Sequence, residues 1–237
     1  RPNNNIYFAT APFATDPIAS NIATFSPWGD KDGAANLFSS LKISSRWLYS
    51  YKSGTDYSEW NHIGATGTVD AGYGFTMKGT DVNNQNYDFR GKPNTGTIAV
   101  DVQPGKQTLA GNPYPSAISA AQFIADNPNI DGTITFWDDD LSSGSDYHRS
   151  DYAYWNNTGG LGTGAGANGA PSGFISTGQG FMVRSLNSSA SANFNNAQRV
   201  PASNTQFFRA DGERSRLWFS VEKENSINQI LIGMFEE

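Results

Sequence analysis

Acidic side chains are concentrated in one short segment that follows an apolar run. Between residues 126 and 151 there are seven aspartates, and Arg149 is the only lysine or arginine. Alternation along an extended chain places Asp138 and Asp140 on one face, and the Ser/Gly turn that follows can fold Asp146 back towards them. Hard cations such as Ca²⁺ take about six to eight oxygen ligands. Calcium is therefore the candidate cofactor, with Asp138, Asp140 and Asp146 as its expected ligands.

Two other interpretations of this acidic segment stay open. Its carboxylates can simply be solvated in a surface loop that binds nothing. Alternatively, two of the aspartates between residues 138 and 151 can serve as acid and base in a hydrolase or lyase that acts on polysaccharide. That chemistry requires two carboxyl groups that face each other about 5–9.5 Å apart across an open groove.

Aromatic and polar side chains are interleaved around the end of the acidic segment. Sugar rings can stack their C–H faces on aromatic planes, while amides, carboxylates and guanidinium groups bond the hydroxyls, and ordering a rigid aromatic side chain costs little entropy. The candidate glycan-binding residues are Tyr147, Arg149, Tyr152, Tyr154, Trp155 and Asn156. A second aromatic group consists of Tyr49, Tyr51, Tyr57 and Trp60. The alternative is that these rings fill cross-strand pairs and the core.

Charge and composition exclude several classes of protein. The 237-residue chain has a formal net charge of −6, which argues against a protein that binds the phosphate backbone of nucleic acids. Cysteine is absent, so disulfides, thiolate metal sites and cysteine nucleophiles are excluded. No run of about 20 apolar residues occurs, and we therefore expect no membrane span. With 13% aromatic and only 16% charged residues, the chain is expected to fold and to have an uncharged polar surface.

Apolar residues alternate with period two along most of the chain. Ile98, Val100 and Val102 form one such stripe, and Gly, Pro, Asn and Asp separate the stripes. This pattern predicts an all-β protein with an antiparallel β-sandwich or jelly-roll-like fold. One short helix is expected near residues 119–126, because Ser119 and Gln122 have the spacing of a capping box and a proline follows the segment.

Two similar segments lie 106 residues apart. Residues 72–78 read GYGFTMK and residues 178–184 read GQGFMVR, each a Gly-x-Gly turn before an apolar strand that ends in a cation. We therefore expect two related halves, with Phe75 and Phe181 at equivalent core positions. The expected first half is residues 1–105, in which 1–44 is less recognisable. The second is residues 106–237, with the acidic loop 126–151 and a Gly-rich loop 159–173.

The order of several segments along the chain resembles a known kind of module. These segments are residues 72–79, 87–96, 109–116, 136–137, 152–154, 178–181, 207–209, 214–218 and 230–233. Together they resemble the region near the carboxyl end of large secreted or surface proteins of Bacteroidetes, which carry a type IX secretion sorting domain after it. The resemblance runs from about Ser45 to Glu237. It implies an extracellular or outer-surface location and contact with the export machinery through a sorting domain that follows, and it implies no catalytic residues.

Three functions are compatible with these features. The first is a non-catalytic extracellular module that binds glycan or surface polysaccharide or mediates adhesion. The second is a polysaccharide hydrolase or lyase that uses the aspartates of 138–151. The third is a structural spacer that precedes a sorting domain. An exposed row of aromatic side chains favours the first, and facing carboxylates in a groove favour the second.

Overall fold

The computed structural model describes residues 6–9, 13–14, 47–64, 67–78, 92–138, 151–163, 169–186, 190–201, 216–223 and 226–233. Within these ranges the chain forms seventeen strands and one α-helix. The strands are β1 Ile6–Ala9, β2 Phe13–Ala14, β3 Tyr49–Ser50, β4 Asn61–His62, β5 Phe75–Lys78, β6 Lys92–Pro93, β7 Ile98–Val102, β8 Gln107–Gly111, β9 Ile118–Ser119, β10 Ile134–Trp137, β11 Tyr152–Asn156, β12 Gly159–Leu161, β13 Phe174–Ile175, β14 Gly180–Arg184, β15 Ala190–Phe194, β16 Arg216–Lys223 and β17 Ser226–Gly233. Helix α1 spans Ala120–Asp126, and 3-10 turns occupy Tyr57–Glu59 and Asn196–Gln198.

The strands of the described residues pair in antiparallel fashion throughout. A five-stranded sheet has the order β12-β11-β10-β14-β8, and a four-stranded sheet has the order β1-β5-β3-β4. The remaining strands form the pairs β15-β7, β13-β9, β16-β17 and β2-β6. The sequence prediction of an all-β, sandwich-like fold with one short helix is confirmed. No helix within the described ranges has the length and apolar character needed to cross a bilayer.

Helix α1 lies where its local signals predict it. The Ser119 side chain accepts a hydrogen bond from the Gln122 backbone N–H at 3.2 Å, which satisfies one of the free donors at the start of the helix. The Gln122 side chain donates to Asp126 instead of closing a capping box. The helix ends at Asp126, with Asn127 as its C-cap before a proline, and its buried residues are Ala120, Phe123 and Ile124.

The carboxylate of Asp126 ties this helix to the second 3-10 turn. It accepts hydrogen bonds from Gln122 Nε2 at 2.7 Å, Asn195 Nδ2 at 2.7 Å and Gln198 Nε2 at 2.9 Å. Burial by itself raises the pKa of Asp126, but the three amide hydrogen bonds together hold that pKa below its ordinary value. The bonds stabilise the ionised form, so the contact is strongest when Asp126 is charged.

The main core lies between one face of the five-stranded sheet and a cover made of α1, β7 and β15. Four phenylalanines meet there, one each from α1, β10, β14 and β15. Phe181 lies 5.5 Å from Phe123 in an edge-to-face arrangement, and 6.2 Å from both Phe136 and Phe194, measured between ring centroids. All four are at most 1% exposed, so this cluster joins the helix and the β7-β15 pair to the sheet.

The opposite face of the five-stranded sheet carries a second apolar cluster. It contains buried Tyr51, Leu109 and Trp137, with Trp60, Tyr152 and Met182 packed against it. The four-stranded sheet also packs against the five-stranded sheet, because its strand β1 contacts β14, β10 and β8. The chain 51–54 that follows β3 continues alongside β8, through the pairing of Gly54 with Gln107. The segment before β5 also pairs with β8, through Tyr73 and Ala110, so the two sheets are joined along the edge of β8 that faces away from β14.

The two Gly-x-Gly segments flank strand β8 from opposite sides. Tyr73 forms a bridge with Ala110 from one side, and Phe181 pairs with the same alanine from the other. The glycines that open the segments, at positions 72 and 178, have φ of +88° and +75°, a conformation that glycine adopts without strain. Phe75 and Phe181 are both fully buried. The equivalence of the two positions, like the division at residue 105, stays a prediction.

Candidate functional site

Asp138, the first expected calcium ligand, lies at the end of β10 and is only 2% exposed. Its backbone N–H donates to the Asp151 carbonyl at 2.8 Å, and Asp151 is fully buried at the start of β11. Thr163 Oγ1 donates to Asp138 Oδ2 at 3.1 Å. Two carboxyl groups and a hydroxyl therefore lie at the end of the β10–β11 hairpin. Asp140 and Asp146 fall outside the described residues.

The chemistry of these donors is compatible with a hard cation, since carboxylate and hydroxyl oxygens are what Ca²⁺ prefers. Within the described ranges no group of three or more His, Cys, Asp or Glu side chains is placed to hold a metal ion. The other two expected ligands, Asp140 and Asp146, lie outside those ranges. Calcium therefore stays a prediction for this hairpin end.

The candidate glycan residues on β11 divide between its two faces. Tyr152 belongs to the outer cluster with Trp137, and Tyr154 and Asn156 share its side of the strand because side chains alternate. Trp155 points to the opposite side and packs against the main core, with Gly173 directly against its indole. Tyr147 and Arg149 lie outside the described residues. Of the predicted set, the structure brings Tyr152, Tyr154 and Asn156 together.

Three members of the second aromatic group, Tyr51, Tyr57 and Trp60, lie at the same face, whereas Tyr49 packs against His62 with ring centroids 4.9 Å apart. Trp137 and Tyr152 pack edge to face with ring centroids 5.0 Å apart, and Tyr51 lies 4.8 Å from Trp60. Burial raises the pKa of Tyr152 to about 12, helped by the nearby Tyr154, Asp151, Tyr57 and Tyr51. The phenol of Tyr152 is thus neutral, and Tyr154, Tyr57 and Tyr51 lie close enough to affect its pKa. We call the set Tyr51, Tyr57, Trp60, Trp137, Tyr152 and Tyr154 the aromatic face.

The rim of the aromatic face is open to solvent. Four large hydrophobic residues of the described chain are exposed: Tyr57 at 80%, Leu161 at 67%, Leu186 at 47% and Tyr154 at 37%. Tyr57 and Tyr154 belong to the aromatic face, and Leu161 pairs with Tyr154 across β11 and β12. Three of these four residues therefore border one surface, which singles out the aromatic face as the candidate binding surface.

A tightly hydrogen-bonded turn presents Tyr57. Asp56 Oδ1 accepts from the Ser58 N–H at 2.9 Å, and Glu59 Oε2 accepts from the Asp56 N–H at 2.7 Å, which completes a capping box. Glu59 also accepts from Thr55, and the Tyr51 hydroxyl donates to the Asp56 carbonyl at 3.1 Å. The turn is fixed at both ends, so the position of the Tyr57 backbone is set before any ligand binds.

Polar groups near the face have defined partners. Asn156 Oδ1 accepts from the Thr158 N–H at 2.9 Å and from its hydroxyl at 2.6 Å, which fixes the β11–β12 turn. Lys106 Nζ lies 3.7 Å from Glu59 Oε1. This leaves the Asn156 amide N–H groups as the part of that side chain suited to a ligand oxygen.

The convergence of the two aromatic groups was not foreseen from the sequence. Tyr57 and Trp60 are about ninety positions from Tyr152 and Tyr154. The alternation of side chains along β11 does predict the separate position of Trp155, because it lies next to Tyr154 in the strand and therefore points to the opposite side. No local signal predicts that the turn before β4 lies beside β11, since that depends on the pairing of 51–54 with β8.

One family model matches most of the chain. It is described as a domain of unknown function (DUF8693) and matches residues 26–237. No curated protein and no solved structure matches the chain. The aromatic face and the Asp138–Asp151 hairpin end both lie inside the matched range, so both belong to the family's domain.

Proposed function

The chain belongs to the DUF8693 family, and for this member we propose a non-catalytic extracellular β module that binds glycan through its aromatic face. Its ligand is a glycan or surface polysaccharide. Binding would let the larger protein that carries this module adhere to a surface that displays the ligand. The proposal includes the location expected from the sequence resemblance, which is the outer cell surface or the medium, and export through a sorting domain that follows the module.

The observation that supports glycan binding is the exposed rim of rigid aromatic side chains. Tyr57 and Tyr154 offer ring faces on which sugar C–H groups can stack, while Asn156 contributes amide donors for hydroxyls. Both rings are mounted on structured backbone, one on a capped turn and one on β11. Little conformational entropy is therefore lost when a ligand binds, which favours affinity.

Calcium is proposed as a structural ion at the end of the β10–β11 hairpin. Asp138, with Asp140 and Asp146 from the loop, would hold it, and Asp151 and Thr163 would supply further oxygens nearby. The ion would bind on the amino-terminal side of Tyr147 and Arg149, through Asp138, Asp140 and Asp146. It would therefore act on glycan binding indirectly.

The catalytic alternative receives less support from the described residues. Two facing carboxylates in an open groove are needed for glycoside hydrolysis, whereas Asp138 and Asp151 are 2% and 0% exposed. The spacer alternative predicts no ligand at all. It offers no reason for three large apolar side chains to be exposed along one surface.

The test is binding of the full chain to a panel of soluble polysaccharides, measured by affinity electrophoresis and calorimetry. Tyr154→Ala should weaken binding about two- to twelvefold, as expected when one aromatic contact worth about 0.5–1.5 kcal/mol is lost. The matched control is Leu186→Ala, an exposed apolar residue just beyond the end of β14, which should bind like the parent.

Each alternative has its own outcome in this experiment. New reducing ends in the polysaccharide after incubation with the parent would support the hydrolase or lyase. Absence of binding to every polysaccharide of the panel would support the spacer. Equal weakening by Tyr154→Ala and Leu186→Ala would show that binding does not involve the aromatic face.

A further inference from the structure

Tyr57 is exposed without an evident role in folding. Its side chain is 80% exposed, whereas Tyr51 and Trp60 on either side of it in the chain pack against each other and into the outer cluster. Because its ring stays in water in the native state, Tyr57 contributes little hydrophobic stabilisation to the fold. The fold would lose little if any other residue stood at this position.

The turn around Tyr57 is nevertheless held more firmly than a simple connection requires. Residues 55–59 contain a complete capping box, a bond from the Tyr51 hydroxyl to the Asp56 carbonyl, and the ion pair of Glu59 with Lys106. Rigid presentation of an exposed tyrosine is the arrangement found at binding surfaces, because two torsions are all that remain to be ordered.

Two acidic side chains lie in the turn that carries Tyr57. Asp56 and Glu59 lie on either side of Tyr57 in the turn. A hydrogen bond from the Ser58 N–H to Asp56, and one from the Thr55 N–H to Glu59, are the main causes that lower the pKa values of the two carboxyl groups. Both are therefore ionised at neutral pH. Within the described residues Lys106 pairs with Glu59 and not with Asp56, so this part of the turn would present net negative charge to a uronate or sulfate group.

We infer that Tyr57 is a ligand-contacting residue of the aromatic face, and that Asp56 and Glu59 beside it make this face selective for uncharged polysaccharide. This inference rests on the proposed function, since it names the ligand class of the same site. Together with Tyr154 and Leu161, Tyr57 would extend the contact from the edge strand β12 to the turn before β4. The ligand would then be a chain of several sugars that contacts both elements.

The experiment uses the full chain with mixed-linkage β-glucan and mannan as neutral probes and alginate as the anionic probe. Tyr57→Ala should weaken binding of a neutral probe about tenfold, and Tyr57→Phe should retain it because the ring is kept. Tyr57 is exposed, so neither change should alter the melting temperature, which serves as the folding control. A Tyr57→Ala variant that binds the neutral probe like the parent would overturn the inference.

The selectivity is tested with the double variant Asp56→Asn and Glu59→Gln. Asn also caps a helical turn and Gln still accepts a hydrogen bond, so the turn should persist while two negative charges are removed. Alginate binding should rise severalfold relative to β-glucan, most clearly at low salt. A parent protein that prefers alginate, or a double variant with unchanged preference, would overturn the selectivity.

The two proposals fail in different ways. If the parent binds none of the three probes, both glycan binding and its selectivity for neutral chains are overturned. If Tyr154→Ala weakens binding and Tyr57→Ala does not, glycan binding stands and only the role of Tyr57 is lost.

Discussion

Replacing Phe181 by alanine should strongly destabilise the protein, because this ring joins the five-stranded sheet to helix α1 and to the β7-β15 pair. Phe181 is fully buried on β14 and contacts Phe123 of the helix, Phe136 of β10 and Phe194 of β15. A buried aromatic side chain removes about 150–250 Å² from water. At about 25 cal/mol per Å² this corresponds to about 4–6 kcal/mol, which is an upper bound. Measured Phe→Ala changes in cores are about 3–5 kcal/mol.

We therefore expect the free energy of unfolding to fall by about 4 kcal/mol in Phe181→Ala. For a domain of this size each kcal/mol lowers the melting temperature by about 2–4 °C, so the melting temperature should fall by about 8–16 °C. Urea unfolding followed by circular dichroism, together with calorimetry, measures both quantities. Domains are stable by about 5–15 kcal/mol, so the variant should still fold in the cold.

The control and the equivalent position sharpen this test. Leu186→Ala, at an exposed residue, should change stability by less than about 0.5 kcal/mol. Phe75→Ala should show a loss similar to that of Phe181→Ala if the two Gly-x-Gly segments are structurally equivalent. A loss below about 1 kcal/mol for Phe181→Ala would refute the packing argument. A large loss at Phe181 with none at Phe75 would refute the equivalence alone.

Three further predictions concern the Asp126 contact, calcium and the edge strand. The pKa of Asp126 is lowered in the folded state, so its contribution is present above the unfolded pKa of about 3.9 and is lost as the pH falls through the lower folded value. The stability difference between the parent and Asp126→Asn should therefore be constant near neutral pH and shrink below about pH 4; a pH-independent difference contradicts the argument. Millimolar calcium should raise the melting temperature relative to EDTA, with a gain of about 2.7 kcal/mol at a hundredfold excess over Kd. That gain should vanish in the double variant Asp138→Asn and Asp140→Asn, and superimposable melts for the parent would indicate a solvated loop. Gly160→Ala should destabilise β12, because a Cβ there would lie 2.2 Å from the Pro171 carbonyl oxygen; unchanged hydrogen exchange in β11 and β12 would count against this.

Local patterns predicted the elements of the fold well. Alternating apolar residues in β7 and β10 became buried positions, and Val100, Val102, Ile134 and Phe136 are all at most 1% exposed. Helix α1 begins after Ser119, as its N-cap signal predicts. These signals are local, because the period of a strand and the cap of a helix are set by a few consecutive residues.

Part of the candidate site could also be derived from such patterns. Tyr152, Tyr154 and Asn156 share one side of β11, and strand alternation alone separates them from Trp155. The composition of the turn at residues 55–59 likewise indicates a capping box, with Asp56 at the N-cap and Glu59 three residues later. Exposure could not be derived in this way, since the same tyrosine pattern also fits a buried cross-strand pair.

Tertiary structure decided which aromatic residues meet. The β10–β11 hairpin places Trp137 beside Tyr152, a contact within about fifteen residues, but Tyr51 and Tyr57 reach the same face only because the chain after β3 pairs with β8. Each pairing of this kind depends on the burial of both partners and on the register of the whole sheet, which no single window of residues contains. The sequence alone therefore supplies the tyrosines and tryptophans of the aromatic face, whereas the order of the strands in the sheets brings them together on one surface.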